Sequence, residues 1–182
     1  MAMLDCRLRL PCLAKALRFS RFASPPRGYA APGVEFAAEG EMVAKWGNWH
    51  CGENKERFAG VWVGREATLI EPFLPGEAVR VIGIGSEYWQ VRMGGAGWKK
   101  SVHGDGAAIV EADPELVEDT KAIRAGFGLD LIANDYVVGT DGRKHLLEVN
   151  HIPSVTCFPE FWAAYRDAVV GWLAKGTEGD RR

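Results

Sequence analysis

Two strand-forming runs in the C-terminal third, residues 131–138 and 144–150, flank the dipeptide Asp141-Gly142. This pairing constrains the fold more than any other feature of the chain. Asp-Gly between two apolar runs is a strong hairpin signal, because a tight turn demands positive φ and these residues accept it. A two-residue turn places Thr140 opposite Arg143, and the same register carried back along both strands places Asp135 opposite Glu148. Asn150, two residues past Glu148, points to the same side of the sheet. Directly opposed carboxylates destabilise a sheet, so the geometry calls for a cation. A hard divalent metal fits, Mg²⁺ with Mn²⁺ as the alternative, since it takes oxygen ligands from one or two carboxylates and completes its shell with phosphate and water. The plainer reading is an edge hairpin with solvated acids, paired to Lys144.

The remaining pattern predicts an α+β chain. Short strands are expected at 34–36, 42–45, 61–63 and 67–73, and a hairpin at 77–84 and 88–93 turning at Gly85-Ser86-Glu87. Asp113-Pro114-Glu115 opens a helix: the aspartate caps it, proline at the first position loses no hydrogen bond, and the acid sits at the positive end. Leu116, Ile123 and Phe127 supply its apolar stripe. A last helix over 159–175 carries Phe161, Trp162, Tyr165, Ala168, Val169, Trp172 and Leu173 as a core face.

Residues 1–30 hold six basic residues against the single acid Asp5, a bias seen in transit peptides. Leu8, Leu10, Leu13, Leu17 and Phe19 instead favour a buried helical face, ended by Pro25-Pro26. A net charge of −2 offers no basic surface for nucleic acid or an anionic membrane. Apolar stretches such as 168–173 fall far short of the roughly 20 residues that span a bilayer. Cys6, Cys12, Cys51 and Cys157 form no CxxC pair, which predicts reduced thiols in the cytoplasm. His50 beside Cys51 lacks the further ligands a zinc site needs.

Lys45 ends a strand and opens a polar loop, 46–55, that contains Gly47 and Gly52. An ammonium beside free backbone N–H groups can hold phosphate oxygens. Neither GxxxxGK[ST] nor a GxGxxG following a strand is present, which excludes the two commonest phosphate-loop mechanisms. Lys99 and Lys100 follow the glycine-rich stretch Gly94-Gly95-Ala96-Gly97, either as further cations for a phosphoryl group or as solvated loop lysines.

The order of these pieces resembles the ATP-grasp superfamily, and within it the ribosomal-protein-modifying glutamate ligases and other carboxylate–amine ligases. The resemblance rests on a strand lysine, a glycine-containing flap, Glu71-Pro72-Phe73-Leu74, the basic loop, Ala133-Asn134-Asp135 and Glu148-Val149-Asn150-His151-Ile152-Pro153. It covers roughly residues 10–172. It implies two lobes, each a largely antiparallel sheet with helices, with nucleotide between them. The N-terminal lobe would span 1–74 (helix, strands, flap and hinge), the C-terminal lobe 75–176, and a tail 177–182.

Carried over residue by residue, the resemblance implies Lys45 on the α- and β-phosphates and the flap with Gly47 and Gly52 over the triphosphate. Glu71, Phe73 and Leu74 would form the adenine hinge, and Glu77 would take the ribose hydroxyls. Asp135, Glu148 and Asn150 would hold one or two Mg²⁺, while Lys99 or Lys100 would stabilise the transferred phosphoryl group. The implied reaction uses ATP to activate a small-molecule or peptide carboxylate as an acyl phosphate for attack by an amine or thiol. The alternatives are a nucleotide-binding module without chemistry of its own and a kinase on the same fold. The chain departs from the pattern in its aromatic flap and in a lysine where arginine is usual at position 99. A separate N-terminal substrate domain is also absent, which a partner chain or a second copy would supply.

Overall fold

The computed structural model describes residues 9–47, 53–151 and 154–179, and shows an α+β chain with two antiparallel sheets. The N-terminal sheet has β1 (Gly28–Ala30), β2 (Glu35–Trp46), β3 (Lys55–Val63) and β4 (Thr68–Pro72) in the order β1-β4-β2-β3. The two short strands expected at 34–36 and 42–45 are one strand, whose pairing with β3 shifts register between Ala38 and Met42. Glycine at 40 and the acids beside it hide that continuity from a pattern of alternating apolar residues. β1 lies where the sequence reads as the end of a helix. Val43, Ala44, Leu69 and Ile70 are buried, whereas Val34, Val61 and Val63 are exposed. Phe58 stacks on Trp62 with ring centroids 5.6 Å apart and meets Phe36 edge-on.

The second sheet has β5 (Gly76–Ile84), β6 (Glu87–Arg92), β7 (Ala108–Val110), β8 (Leu131–Gly139) and β9 (Lys144–Asn150) in the order β7-β6-β5-β8-β9. Helices α1 (Arg9–Ala16) and α2 (Pro114–Phe127) pack on one face, burying Leu13, Leu116, Ile123 and Phe127 against Val79, Val81 and Ile132. On the other face α3 (Pro159–Gly179) buries Phe161 against Ile82, Ile84 and Ala133. With both faces covered, residues 132–137 are buried without a break, as a strand between two packed layers should be.

Three expectations change here. The first helix packs on the second sheet and not within the N-terminal lobe, because Cys12, Leu13 and Ala16 have their partners there. The last helix runs on to Gly179. Its apolar residues do not form a single core face: Trp162 and Leu173 are exposed, since a helix touching its sheet along one stripe cannot bury consecutive residues.

The start of α2 is as the sequence predicts, with Asp113 accepting from the Glu115 N–H at 2.9 Å and Gly128 closing the helix at φ 64°. The same helix buries Asp119, whose carboxylate accepts from Ser20 Oγ, the Arg21 N–H and Tyr136 Oη. That network pins the segment after α1 to the sheet. Among the described residues no helix is long and apolar enough to cross a membrane.

Candidate functional site

The acidic hairpin arrives at its predicted pairing by two irregularities that cancel. Its loop holds three residues, not two: Gly139 N–H donates to Arg143 O at 2.8 Å, and Gly142 N–H donates to Gly139 O at 2.9 Å. Gly142 takes φ 79°, the left-handed position such loops reserve for glycine. This moves the register by one residue, so that Tyr136 faces Leu146. A bulge at Leu147 moves it back, and Asp135 faces Glu148. The two residues of a bulge turn toward the same side, and both Leu147 and Glu148 line the cleft between the sheets.

The cation that opposed acids require is supplied in part by the chain itself. Arg80, paired with Asp135 across β5 and β8, forms two parallel bonds to that carboxylate, Nε to Oδ1 at 2.6 Å and Nη2 to Oδ2 at 2.8 Å. Burial works against the guanidinium charge, but the charge and hydrogen bonds of Asp135, helped by Glu148, hold its pKa above the ordinary arginine value. Sequence reasoning missed Arg80. The signal was a charge flanked by Val79 and Val81 in the apolar stretch of that strand.

Facing these groups across the cleft stands the N-terminal sheet. The cleft encloses about 540 Å³ and is lined by Lys45, Lys55, Arg57, Glu71, Asp135 and Glu148, among others. Lys45 and Lys55 lie directly opposite each other on β2 and β3. Like charges in that position destabilise a sheet; Glu71 compensates Lys45 within the lobe, and an anion between the two lysines would offset their repulsion further. Burial, and then the charge of Lys45, lower the pKa of Lys55, while Glu148 and Asp135 pull it the other way. Lys55 also escaped the sequence reading, although a cation leaving the glycine loop opposite the cation entering it was visible there.

The other predicted residues are distributed unevenly. Phe73 and Leu74 line the cleft. The Phe73 N–H is donated to Glu41 O at 2.9 Å, and its ring carries the Arg57 guanidinium 4.0 Å above it. Glu71 is buried and ion-paired with Lys45 and Arg27. Lys100 lines the cleft, with Nζ donating to Gly95 O at 2.6 Å. Lys99 is exposed, 5.7 Å from the ring of Trp98. Trp98 is a cleft wall the sequence reading did not single out; it meets Phe73 edge-on at 6.3 Å and has Lys55 5.9 Å from its ring.

Glu77 opens onto a neighbouring recess of about 420 Å³ with Arg92 and Asp105, not onto the cleft. Gly47 is exposed at φ 54°, and Gly52 and Pro153 lie outside the described residues. Asn150 pairs with Ala133, and its buried Nδ2 has no hydrogen-bond partner. A half-turn of the amide exchanges that nitrogen for the carbonyl oxygen. Among the described residues no three His, Cys, Asp or Glu side chains converge on a metal position. Two facing carboxylates beside an orphaned amide suit a cation that draws the rest of its oxygen shell from phosphate and water.

No protein-family model matches the chain, and no curated protein matches it in sequence. Solved structures do. D-cycloserine synthetase DcsG superposes with a TM-score of 0.65 at 17% identity, covering 93% of this chain and 71% of its own. The ATP-grasp ligase PsnB, in a complex with a minimal precursor variant, Mg and ADP, gives 0.63 at 14% identity, covering 93% and 60%. The macrocyclase MdnC from Microcystis aeruginosa MRC, bound to precursor peptide MdnA, gives 0.60 at 13% identity, covering 93% and 62%. The chain thus spans about three-fifths of the length of the latter two, and its fold is the ATP-grasp fold.

Proposed function

We propose that this chain binds Mg·ATP in the cleft between its two sheets and uses it to activate a carboxylate for ligation. The observation that carries this reading is the opposed pair Lys45 and Lys55 facing Asp135 and Glu148 across one cavity. A polyphosphate would neutralise the lysine pair, and a divalent cation would join the phosphates to the acids. Similarity to the ATP-grasp ligase PsnB, solved with Mg and ADP, supports the ligand, and the precursors bound to PsnB and to the macrocyclase MdnC support a peptide or small-molecule carboxylate as substrate.

Each group then has a physical task. Lys45 and Lys55 take phosphate oxygens from the N-terminal side, and Lys100 approaches from the glycine-rich loop. Phe73, Leu74 and Leu147 offer the apolar surface against which the base lies, and Glu77 stays as the ribose ligand once its recess and the cleft join. Asp135, Glu148 and Asn150 would hold the Mg²⁺, which would supply positive charge for the phosphates. Positioning and charge neutralisation are the main means by which phosphoryl transfer is accelerated. The carboxylate oxygen attacks the γ-phosphorus, ADP leaves, and an amine or thiol displaces phosphate from the acyl phosphate. Trp98 helps to exclude water from that intermediate. Cys12 and Cys157 are not joined in a disulfide, which suits a cytoplasmic setting.

Calorimetric titration tests the site. Mg·ATP should bind the native chain, and binding should weaken by about tenfold or more, roughly 1.4 kcal/mol, in Lys45→Ala, Lys55→Ala and Glu148→Gln. Binding that ignores Mg²⁺, or is unchanged in Glu148→Gln, would remove the metal from this reading. Trapping a hydroxamate from an added carboxylate then separates a ligase from a chain that only binds nucleotide.

A further inference from the structure

Arg27 holds a position that the nucleotide site as described leaves unused. It lies between α1 and β1, and its guanidinium touches both lobes. Nε donates to Glu71 Oε2 at 2.6 Å, Nη2 to the backbone oxygen of Leu147 at 3.0 Å, and Nη1 to Ser24 Oγ. Glu71 is 4% exposed, and its other carboxylate oxygen is ion-paired with Lys45. One buried carboxylate is therefore shared by two cations, and one of these is the lysine facing the cleft.

Removing one partner from a buried ion pair leaves an uncompensated charge in a poorly solvated place, which is strongly unfavourable. If Glu71 had only Lys45, a nucleotide could recruit that lysine only by stranding the carboxylate. With Arg27 present, Glu71 stays compensated while Lys45 turns to phosphate. Leu147, which Arg27 also grips, is the bulge residue preceding Glu148. The same guanidinium thus fixes the strand position from which Glu148 enters the cleft.

We propose that Arg27 is a positioning residue: by keeping the Glu71 carboxylate paired, it releases Lys45 to the phosphates of the bound nucleotide. This rests on the nucleotide reading of the cleft. A purely structural clamp between the lobes would serve every ligand alike, whereas the role proposed here matters only to a ligand bearing phosphates.

The test uses the full chain as native protein and as Arg27→Gln, Arg27→Lys, Glu71→Gln and the Arg27→Gln/Glu71→Gln double variant, each titrated with Mg·ATP and with adenosine. Arg27→Gln should lose about tenfold in Mg·ATP affinity, a difference of about 1.4 kcal/mol, and keep its affinity for adenosine. The double variant should bind Mg·ATP as Glu71→Gln does, because the carboxylate that captured Lys45 is gone. Arg27→Lys, which keeps a cation on Glu71, should retain most of the native affinity, and it decides the matter if Arg27→Gln does not fold. Equal losses for Mg·ATP and adenosine, a double variant as weak as Arg27→Gln, or a tenfold loss in Arg27→Lys would each overturn the proposal. A native chain that binds no nucleotide would overturn the underlying reading as well.

Discussion

The two sheets that form the cleft are built to different standards. The C-terminal sheet is covered on both faces, and Val79, Val81, Ile82, Ile123, Ile132, Tyr136, Leu146 and Phe161 are fully buried around it. The N-terminal sheet carries no helix between Gly28 and Pro72 among the described residues, and its apolar interior is little more than Val43, Ala44, Leu69 and Ile70. The acids and Arg80 therefore sit on a rigid platform. The lysines sit on a thin sheet with a small share of the buried apolar surface. Opening free energies vary across a fold with local burial, so the lysine side should be the one that yields when a ligand enters. Preset acids and adaptable lysines make a cleft that closes from one side.

Core truncations in the two sheets should break along this line. Ile123→Ala removes a fully buried side chain between α2 and the C-terminal sheet and should cost about 3–4 kcal/mol, read as a drop in the urea midpoint for the whole chain. Leu69→Ala, at a site 3% exposed in the thin sheet, should cost about 2–3 kcal/mol and act locally. Amide protection should fall across residues 28–72 while 131–150 keep theirs in hydrogen exchange. Equal loss of protection in both sheets would mean that the lobes open as one unit, and the contrast would fail.

The same contrast explains what could be read before any coordinates. The C-terminal lobe was legible because its signals are local: an Asp-Gly turn, a capped helix start at Asp113-Pro114, and apolar runs long enough to be buried on both sides. The pairing of Asp135 with Glu148 was predicted from a two-residue turn, yet it holds only because the three-residue loop and the bulge at Leu147 offset each other. No sequence pattern announces a bulge of that kind. In the N-terminal lobe glycine and glutamate around its irregularity hide the continuity of the long strand β2, and helical periodicity does not say that α1 packs on the C-terminal sheet. Arg27, Lys55 and Arg80 went unnoticed for a shared reason. Each acts through a partner far away in sequence or across a strand pair, and a motif read along the chain ranks residues by their neighbours.

The smallest effect expected, and the one that most sharpens the contrast, concerns the charge on Lys55. Its pKa is lowered from the ordinary 10.5, first by burial and then by Lys45. In the window between that lowered value and 10.5 the unfolded chain holds the proton that the folded chain has lost. The contribution of Lys55 to stability therefore rises with pH there. Phosphate binding has the opposite preference, because it favours the ammonium. Mg·ATP affinity should fall across the same window, by at most about tenfold per pH unit for a single proton, and binding should be accompanied by proton uptake visible as a dependence of the calorimetric heat on buffer. In Lys55→Arg the guanidinium keeps its charge throughout, so both trends should flatten. Affinity in the native chain that stays level while free-chain stability rises would place Lys55 in the thin sheet but outside the phosphate site. That outcome would leave Lys45 as the principal cation of the N-terminal side, with Arg27 and Glu71 as the groups that govern it.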